Sequence, residues 1–366
     1  MNWTWSDAFV YGPYAVFLIV QVLFVRRLGL RIRDQARWAM WLLFCFSKFL
    51  AFRHLGGNAF RPDLPGWLIW FWDWAYSGAV ILFGLSLVAF FRFRQKAWIL
   101  PLVAWGLAAW GFWNGMRVPG VVQVELHFAD LPAALDGYRI VQLSDLHASS
   151  AAKAWRTRAI VDLANAQGAD LICLTGDHVD GRVKKSAEYL APLKDLRAKD
   201  GVYACTGNHE HYFRFPEWKD AFYDRVGTIR FLTNECAFPR PELALAGVPD
   251  PAGRRRDRFP PPDVRSAFAV ATNGEFRVLL QHQPKWAETN AREIGVDLQL
   301  SGHTHGGIAP IIRRLVALHN AGYSRGVYRY GKSVLYVCPG CGQWAGFPMR
   351  FFNDSEVTLI TLRRGI

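Results

Sequence analysis

Four apolar stretches before residue 116, running roughly 8–25, 36–52, 67–91 and 97–115, constrain this chain more than any other feature. Each approaches the ~20 residues that an α-helix needs to cross a bilayer. A buried bundle in a soluble protein is the competing account, and four consecutive stretches with so few charges disfavour it. The first stretch has no basic start and no obvious small-residue cleavage site, so it does not read as a signal peptide. Of the 16 tryptophans, 12 precede residue 116, while the following 250 residues have the composition of an ordinary globular domain. The expected division is therefore 1–116 as four transmembrane helices and 121–366 as a catalytic domain, joined by the short linker 116–120. Tryptophans near the ends of the apolar stretches read as interfacial anchors.

Charge orients this unit. The formal net charge is +13. A basic chain can bind nucleic acid, anionic membrane or phosphorylated substrates. Here eight basic residues sit in two short segments between apolar stretches: Arg26, Arg27, Arg31, Arg33, Arg37, and Arg92, Arg94, Lys96. That placement favours an integral membrane protein, with no nucleic acid as partner. The loop 53–66 has only Arg53 and Arg61, and the first seven residues have no Lys or Arg. Positive-inside bias puts the two basic segments in the cytoplasm. The catalytic domain is then extracytoplasmic, on a multi-pass protein of the cell (inner) membrane. Lys48 and Asp73 interrupt the second and third stretches at similar expected depth and read as an ion pair, or Lys48 as snorkelling.

The remainder alternates strand and helix patterns. Strands are expected at 121–128, 138–144, 169–175, 201–205, 243–248, 276–281, 296–300, 333–337 and 356–362, with helices at 153–166 and 183–198. Such alternation argues for a layered α/β fold. Residues 250–263, rich in Arg and Pro, read as a basic surface loop. Six cysteines in a chain of this length do not make a disulfide framework. Cys173 and Cys205 read as core residues. Cys338-Pro-Gly-Cys341 has redox-motif spacing without the strand-then-helix setting of a redox site; a structural disulfide there is compatible with an extracytoplasmic domain.

Five polar clusters follow expected strands. They are Ser144-Asp145-Leu146-His147, Gly176-Asp177-His178-Val179-Asp180, Gly207-Asn208-His209-Glu210, Gln281-His282, and Gly302-His303-Thr304-His305-Gly306-Gly307. Ligands of open α/β sheets bind outside the carboxyl ends of strands, so these clusters should converge. Asp and His offer oxygen and imidazole donors suited to Mn, Fe or Zn. Read as extended chain, Asp145-x-His147 and His303-x-His305 each put two side chains on one side. No cysteine lies in the clusters, which argues against structural zinc. Each cluster alone is weak, since a lone Asp-x-His or Gly-Asn-His is usually a surface turn.

Taken in order, the five clusters resemble the pattern of the calcineurin-like metallophosphoesterase superfamily: Asp-x-His, Gly-Asp-x-x-Asp, Gly-Asn-His-Asp/Glu, His, Gly-His-x-His. The resemblance covers roughly residues 121–362. It is closest to a membrane-linked bacterial subgroup with Gly-His-Thr-His-Gly-Gly, and Ala246-Gly247-Val248-Pro249-Asp250 and the closing segment 348–362 also fit. It implies a four-layer α-β-β-α sandwich and two divalent metal ions. Asp145, His147 and His305 would hold the first, Asn208, His282 and His303 the second, and Asp177 would bridge them. His209 would act as general acid, oriented by Asp180, while a metal-activated hydroxide attacks a phosphate ester. His178, His211 and Glu210 receive no direct role; Glu210 reads as support. The superfamily's protein phosphatases carry Arg where this chain has Gly181, which argues against that activity. Ile308 and Gln283 depart from the subgroup's usual Gln and Asn and touch the substrate rim rather than the donors.

The membrane anchor and Arg254–Arg256 direct attention to a lipid-linked or membrane-proximal phosphate. The competing function is a non-enzymatic membrane sensor that keeps the fold; a missing metal donor would favour it, and none is missing. A compartment-sensitive reporter fused after Ile366 is expected to report an extracytoplasmic location. A cytoplasmic signal would reverse the proposed orientation.

Overall fold

The computed structural model describes residues 31–365 apart from 56, 59–60, 63, 93–98, 273 and 345–347, together with 16, 19–24 and 26. The chain divides into two compact units, Met1–Asn114 with Ala345–Met349, and Gly115–Trp344 with Arg350–Ile366.

The first unit is helical: α1 Ile32–Phe46, α2 Lys48–Leu55, α3 Gly66–Arg92 and α4 Ile99–Met116. Most of the first apolar stretch lies outside the described residues, as do Arg27, Arg94 and Lys96. Among the described residues one helix, α3 over Gly66–Val88, is long and apolar enough to cross a membrane. The stretch 36–52 is not one continuous helix. It breaks at Ser47, whose hydroxyl donates to Phe44 O at 2.6 Å and so competes for a helical carbonyl. Several tryptophans expected as interfacial anchors instead pack among themselves. Trp41 lies 6.1 Å from Trp105 and 6.4 Å from Trp74, ring to ring. Trp67 and Trp113 remain exposed. Lys48 Nζ meets Asp73 Oδ1 at 2.6 Å, both fully buried, with the ammonium also near the Tyr76 ring.

The second unit has two six-stranded sheets. Its strands are β1 Gly120–Phe128, β2 Arg139–Leu143, β3 Leu171–Thr175, β4 Val202–Cys205, β5 Ile229–Phe231, β6 Glu235–Arg240, β7 Leu243–Gly247, β8 Phe276–Leu280, β9 Leu298–Ser301, β10 Gly326–Tyr330, β11 Ser333–Val337 and β12 Glu356–Arg364. One sheet runs β1-β12-β2-β3-β4-β5 and the other β10-β11-β9-β8-β7-β6. Facing side chains of both sheets form one core, in which Ile140, Leu171 and Cys205 meet Leu245, Val278, Leu300 and Tyr336. Each such aliphatic side chain contributes ~1.5–3 kcal/mol by leaving water. On the outer sides, helix α5 Lys153–Ala166 buries Ile160, Val161 and Ala164, and the turn at Val264–Ala267 packs on Ala244, Ala246 and Leu279.

Local chemistry explains where sequence expectation and structure part. The helix α6 Val183–Leu190 stops short of 198, because Pro192 cannot donate to a further helical turn; a 3-10 turn Ala191–Asp195 follows. The three unexpected strands, β5, β6 and β10, are all edge strands. Pro239 within β6, and a register shift between Ala237 and Arg240, disguise it as a loop. Residues 250–263 are not merely a surface loop, since they contain a helical turn, Ala252–Arg256.

The buried ion pair yields a prediction. Lys48→Ala strands the Asp73 carboxylate and should destabilise the helical unit by ~3–5 kcal/mol, whereas Lys48→Met with Asp73→Leu should recover most of the loss. Thermal unfolding in detergent measures both; equal losses in the two variants would contradict it.

Candidate metal and active site

Parallel pairing of β2, β3 and β4 in one sheet, and of β7, β8 and β9 in the other, points their carboxyl ends the same way. Gln142 Nε2 donates to Ser301 O at 3.0 Å and His282 Nδ1 to Thr175 O at 2.7 Å, so the two sheets are tied together at that end. The five polar clusters meet there. Donor atoms of Asp145, His147 and His305 lie within 4.8 Å of one another, as do those of His147, Asp177 and His209, and those of Asp177, His282 and His303. Asn208 opens the short helix α7 Asn208–Tyr212 and lines the same cavity as His303.

The backbone reaches this arrangement differently from the extended chain expected of Asp-x-His. Asp145, His147, Asp177, His303 and His305 all have positive φ, between 47° and 72°. Residues with a Cβ adopt that region at a cost of about 1–3 kcal/mol each and persist there only where surroundings hold them. Here the loops bind one another. Asp145 N donates to Gly176 O at 3.0 Å, His147 N to Asp177 O at 3.0 Å, and Gly342 N to Asp145 O at 2.9 Å. Glu210 accepts from the backbone N–H of Asp177 (2.9 Å), His178 (2.7 Å) and Gly207 (2.6 Å). Its carboxylate is thus a support, as expected. The Cys338–Cys341 segment has a backbone role. Its thiols are buried and free, and Cys341 N donates to Ser144 O at 2.8 Å.

Tautomers follow from the partners. Asp180 Oδ1 faces Nδ1 of both His147 (3.0 Å) and His209. A carboxylate only accepts, so both Nδ1 atoms carry protons, and Nε2 of His147 presents a lone pair. His282 donates through Nδ1, so its Nε2, 3.2 Å from Asp177 Oδ2, is left to hold either a cation or a proton shared with that carboxylate. Nε2 atoms of His147 and His305 face at 3.2 Å, and His303 Nδ1 faces His282 Nε2 at 3.3 Å. Lone pairs set against lone pairs and carboxylate oxygens repel unless a cation or an extra proton lies between them. The buried Oδ1 of Asn208 has no hydrogen-bond partner, a costly state that a cation would relieve. These nitrogen and oxygen donors fit divalent metal ions.

Charge in the site is strongly coupled. Burial alone would raise the Asp177 carboxyl, but positive charge on the rings of His282, His209 and His147, taken up as protons where no cation lies between them, holds it well below the usual carboxylate range. Burial opposes charge on His209, yet Asp180 and Asp177 outweigh it and raise its pKa to about 9. Burial, aided by His282, pushes His303 down to about 3, leaving it a neutral donor.

Several contributors escaped the sequence reading. Asp180 orients His147 as well as His209. Asp250 accepts from Gln283 Nε2 at 2.8 Å and braces the rim; its place after β7 was the available signal. His211, read as simply packed or solvated, bridges Thr206 Oγ1 and Asp257, each at 3.0 Å. His178 fits that reading and packs on Phe231 and Tyr223. Gly181 sits at φ 129°, a conformation that L side chains rarely adopt, and a Cβ there would lie 2.1 Å from Ser186 Oγ, which would have to turn away.

The family described as Calcineurin-like phosphoesterase matches residues 138–307. A Danio rerio protein described as a transmembrane protein with metallophosphoesterase domain is 32% identical over 76% of this chain and 64% of its own length. A Helicobacter pylori protein described as an uncharacterized metallophosphoesterase is 32% identical over 69% of this chain and 66% of its own. The match thus spans a little under two thirds of each. A Bacillus subtilis protein, also described as an uncharacterized metallophosphoesterase, is 28% identical over 72% of this chain and 93% of its own length.

A Cβ at Gly207 would lie 2.2 Å from Asp177 Oδ1. Gly207→Ala should therefore displace that carboxylate and reduce bound divalent metal by about tenfold or more, read by elemental analysis of the purified protein. Unchanged metal content would refute the tight approach.

Proposed function

We propose, from the premise that this chain carries a calcineurin-like metallophosphoesterase domain, that it is a membrane-anchored hydrolase of phosphate esters working with two divalent cations. The observation that carries this reading is the convergence of imidazole ring nitrogens and carboxylate oxygens around Asp177. Asp145, His147 and His305 would hold one cation, and Asn208, His282 and His303 the other, with Asp177 contributing to both. Mn, Fe and Zn are the metals this donor chemistry suits. When bound, the cations supply Lewis acidity and lower the pKa of the attacking water.

The chain's own residues supply the rest. Asp180 keeps His209 protonated and oriented, so the imidazolium can stabilise or protonate the leaving oxygen. Asp180 also fixes the His147 tautomer. His303 and His305 are only half-buried, so substrate approaches from their side. The left-handed backbone at Gly181, which disfavours an arginine there, argues against protein phosphatase chemistry. The apolar helix α3 and the basic segments Arg26–Arg37 support a membrane anchor with the catalytic domain outside, and a lipid-linked phosphate suits that location. Every expected donor is present, which disfavours a non-enzymatic sensor.

The purified protein with Mn²⁺ is expected to hydrolyse members of a panel of phosphomonoesters and phosphodiesters that includes lipid phosphates. Asp177→Asn should lower kcat/KM by more than about 100-fold, beyond the cost of losing a supporting group alone. Equal activity in variant and wild type would sink the reading.

A further inference from the structure

The cavity over the site extends well beyond the metal donors. It measures about 780 Å³ and runs from Asn208 and His303 to a wall made by Arg254, Arg255, Arg256, Lys285 and Trp286. No acidic residue lines it among the described residues. None of the four cations has a carboxylate within ion-pair distance there, although surface arginines elsewhere do, as Arg292 has with Glu288 at 2.7 Å. Positive charge that faces a concave space without a counter-charge attracts anions and is screened less than on an open surface.

The wall is built into the domain rather than loose. The turn Ala252–Arg256 packs against α7 so closely that a Cβ at Gly253 would lie 2.7 Å from the His211 ring. Asp257 ends that turn and accepts from His211 Nδ1 at 3.0 Å and from Phe215 N at 3.2 Å. The Arg256 guanidinium lies 5.3 Å over the Tyr212 ring, which in turn lies 5.3 Å from His209. Across the cavity Trp286 is half exposed although it is held at φ 62°, a strained conformation for a bulky residue. Its indole thus offers a large flat apolar surface in the lining of the cavity.

We infer that the substrate carries a second anionic group besides the scissile phosphate, received by Arg254, Arg255 and Lys285, with its carbon skeleton against Trp286. This rests on the phosphoesterase reading and narrows it to esters with two anions. The same chemistry could belong to a soluble bisphosphate or to the head group of a membrane lipid.

Binding of non-hydrolysable ligands tests this without depending on turnover. Calorimetry on the intact protein with Mn²⁺ would compare phenylphosphonate with phenylene-1,4-bisphosphonate. The bisphosphonate should bind about tenfold more tightly. The doubly charge-reversed variant Arg254→Glu, Arg255→Glu, both at exposed positions, should lose that preference, and Arg225→Glu, an exposed arginine outside the cavity, should keep it. Equal affinity for the two ligands, or a preference that survives the double reversal, would overturn the proposal. Vesicles of phosphatidic acid and of phosphatidylinositol 4-phosphate, compared by co-sedimentation, identify the source. A preference confined to vesicles assigns the second anion to a lipid, and one present in solution assigns it to a soluble ester. Retained preference in a protein that hydrolyses no ester would sink the phosphoesterase reading alone.

Discussion

The site depends on acceptors that hold imidazole N–H groups outward so that free lone pairs face inward. Asp180 does this for His147 and the Thr175 carbonyl does it for His282, while Asp180 also orients the protonated His209. With those tautomers set, the interior becomes a cluster of lone pairs around the Asp177 carboxylate. Such a cluster is repulsive by itself and becomes favourable with positive charge at its centre. The surrounding polypeptide must therefore hold these groups against their own repulsion. Two face-packed sheets, joined at their carboxyl ends by Gln142 and His282, provide that rigidity.

Rigidity is also needed one level down, in the backbone. Five of the seven residues proposed to hold metal sit at positive φ, and each would relax to ordinary φ if its loop were free. The loops are bound to one another instead, through backbone pairs and through the Glu210 carboxylate with its three N–H donors. The metal donors and the residues that restrain them are thus mostly neighbours in sequence. Asp177 is a donor, while His178 beside it gives its N–H to Glu210. A short polar cluster carries both the chemistry and its support.

Much of this was legible in the sequence where periodicity or spacing is strong. The helix at 153–166 and the strand at 333–337 occur with the boundaries that their apolar patterns predict. The five polar clusters that meet at the site are recognisable because Asp, Asn and His recur after buried strands. Three of the four edge strands were not legible, since β5, β6 and β10 lack two buried faces and a continuous apolar run, whereas the alternation in edge strand β1 was clear. The left-handed donors were hidden because side-chain alternation assumes extended chain, and nothing in Asp-x-His betrays its φ. The arginine turn was visible as charge, but its position on the cavity wall depends on His211 and Asp257, 46 residues apart. In the helical unit, hydropathy located the apolar stretches and could not register the break at Ser47, which arises from one hydroxyl competing for a carbonyl.

Gly181 carries a consequence for how this protein could diverge. Related phosphatases that act on proteins use a guanidinium at the corresponding place. Here the backbone at 181 lies in a region that L side chains rarely adopt, and Ser186 fills the volume beside it. A single codon change could supply the arginine but not the conformation or the space, so the first mutant on that route would be worse at folding before it was better at anything else. Change in what this protein accepts is then easier at the cavity's outer wall, where Arg254 and Arg255 are exposed and their replacement would alter charge without straining the backbone.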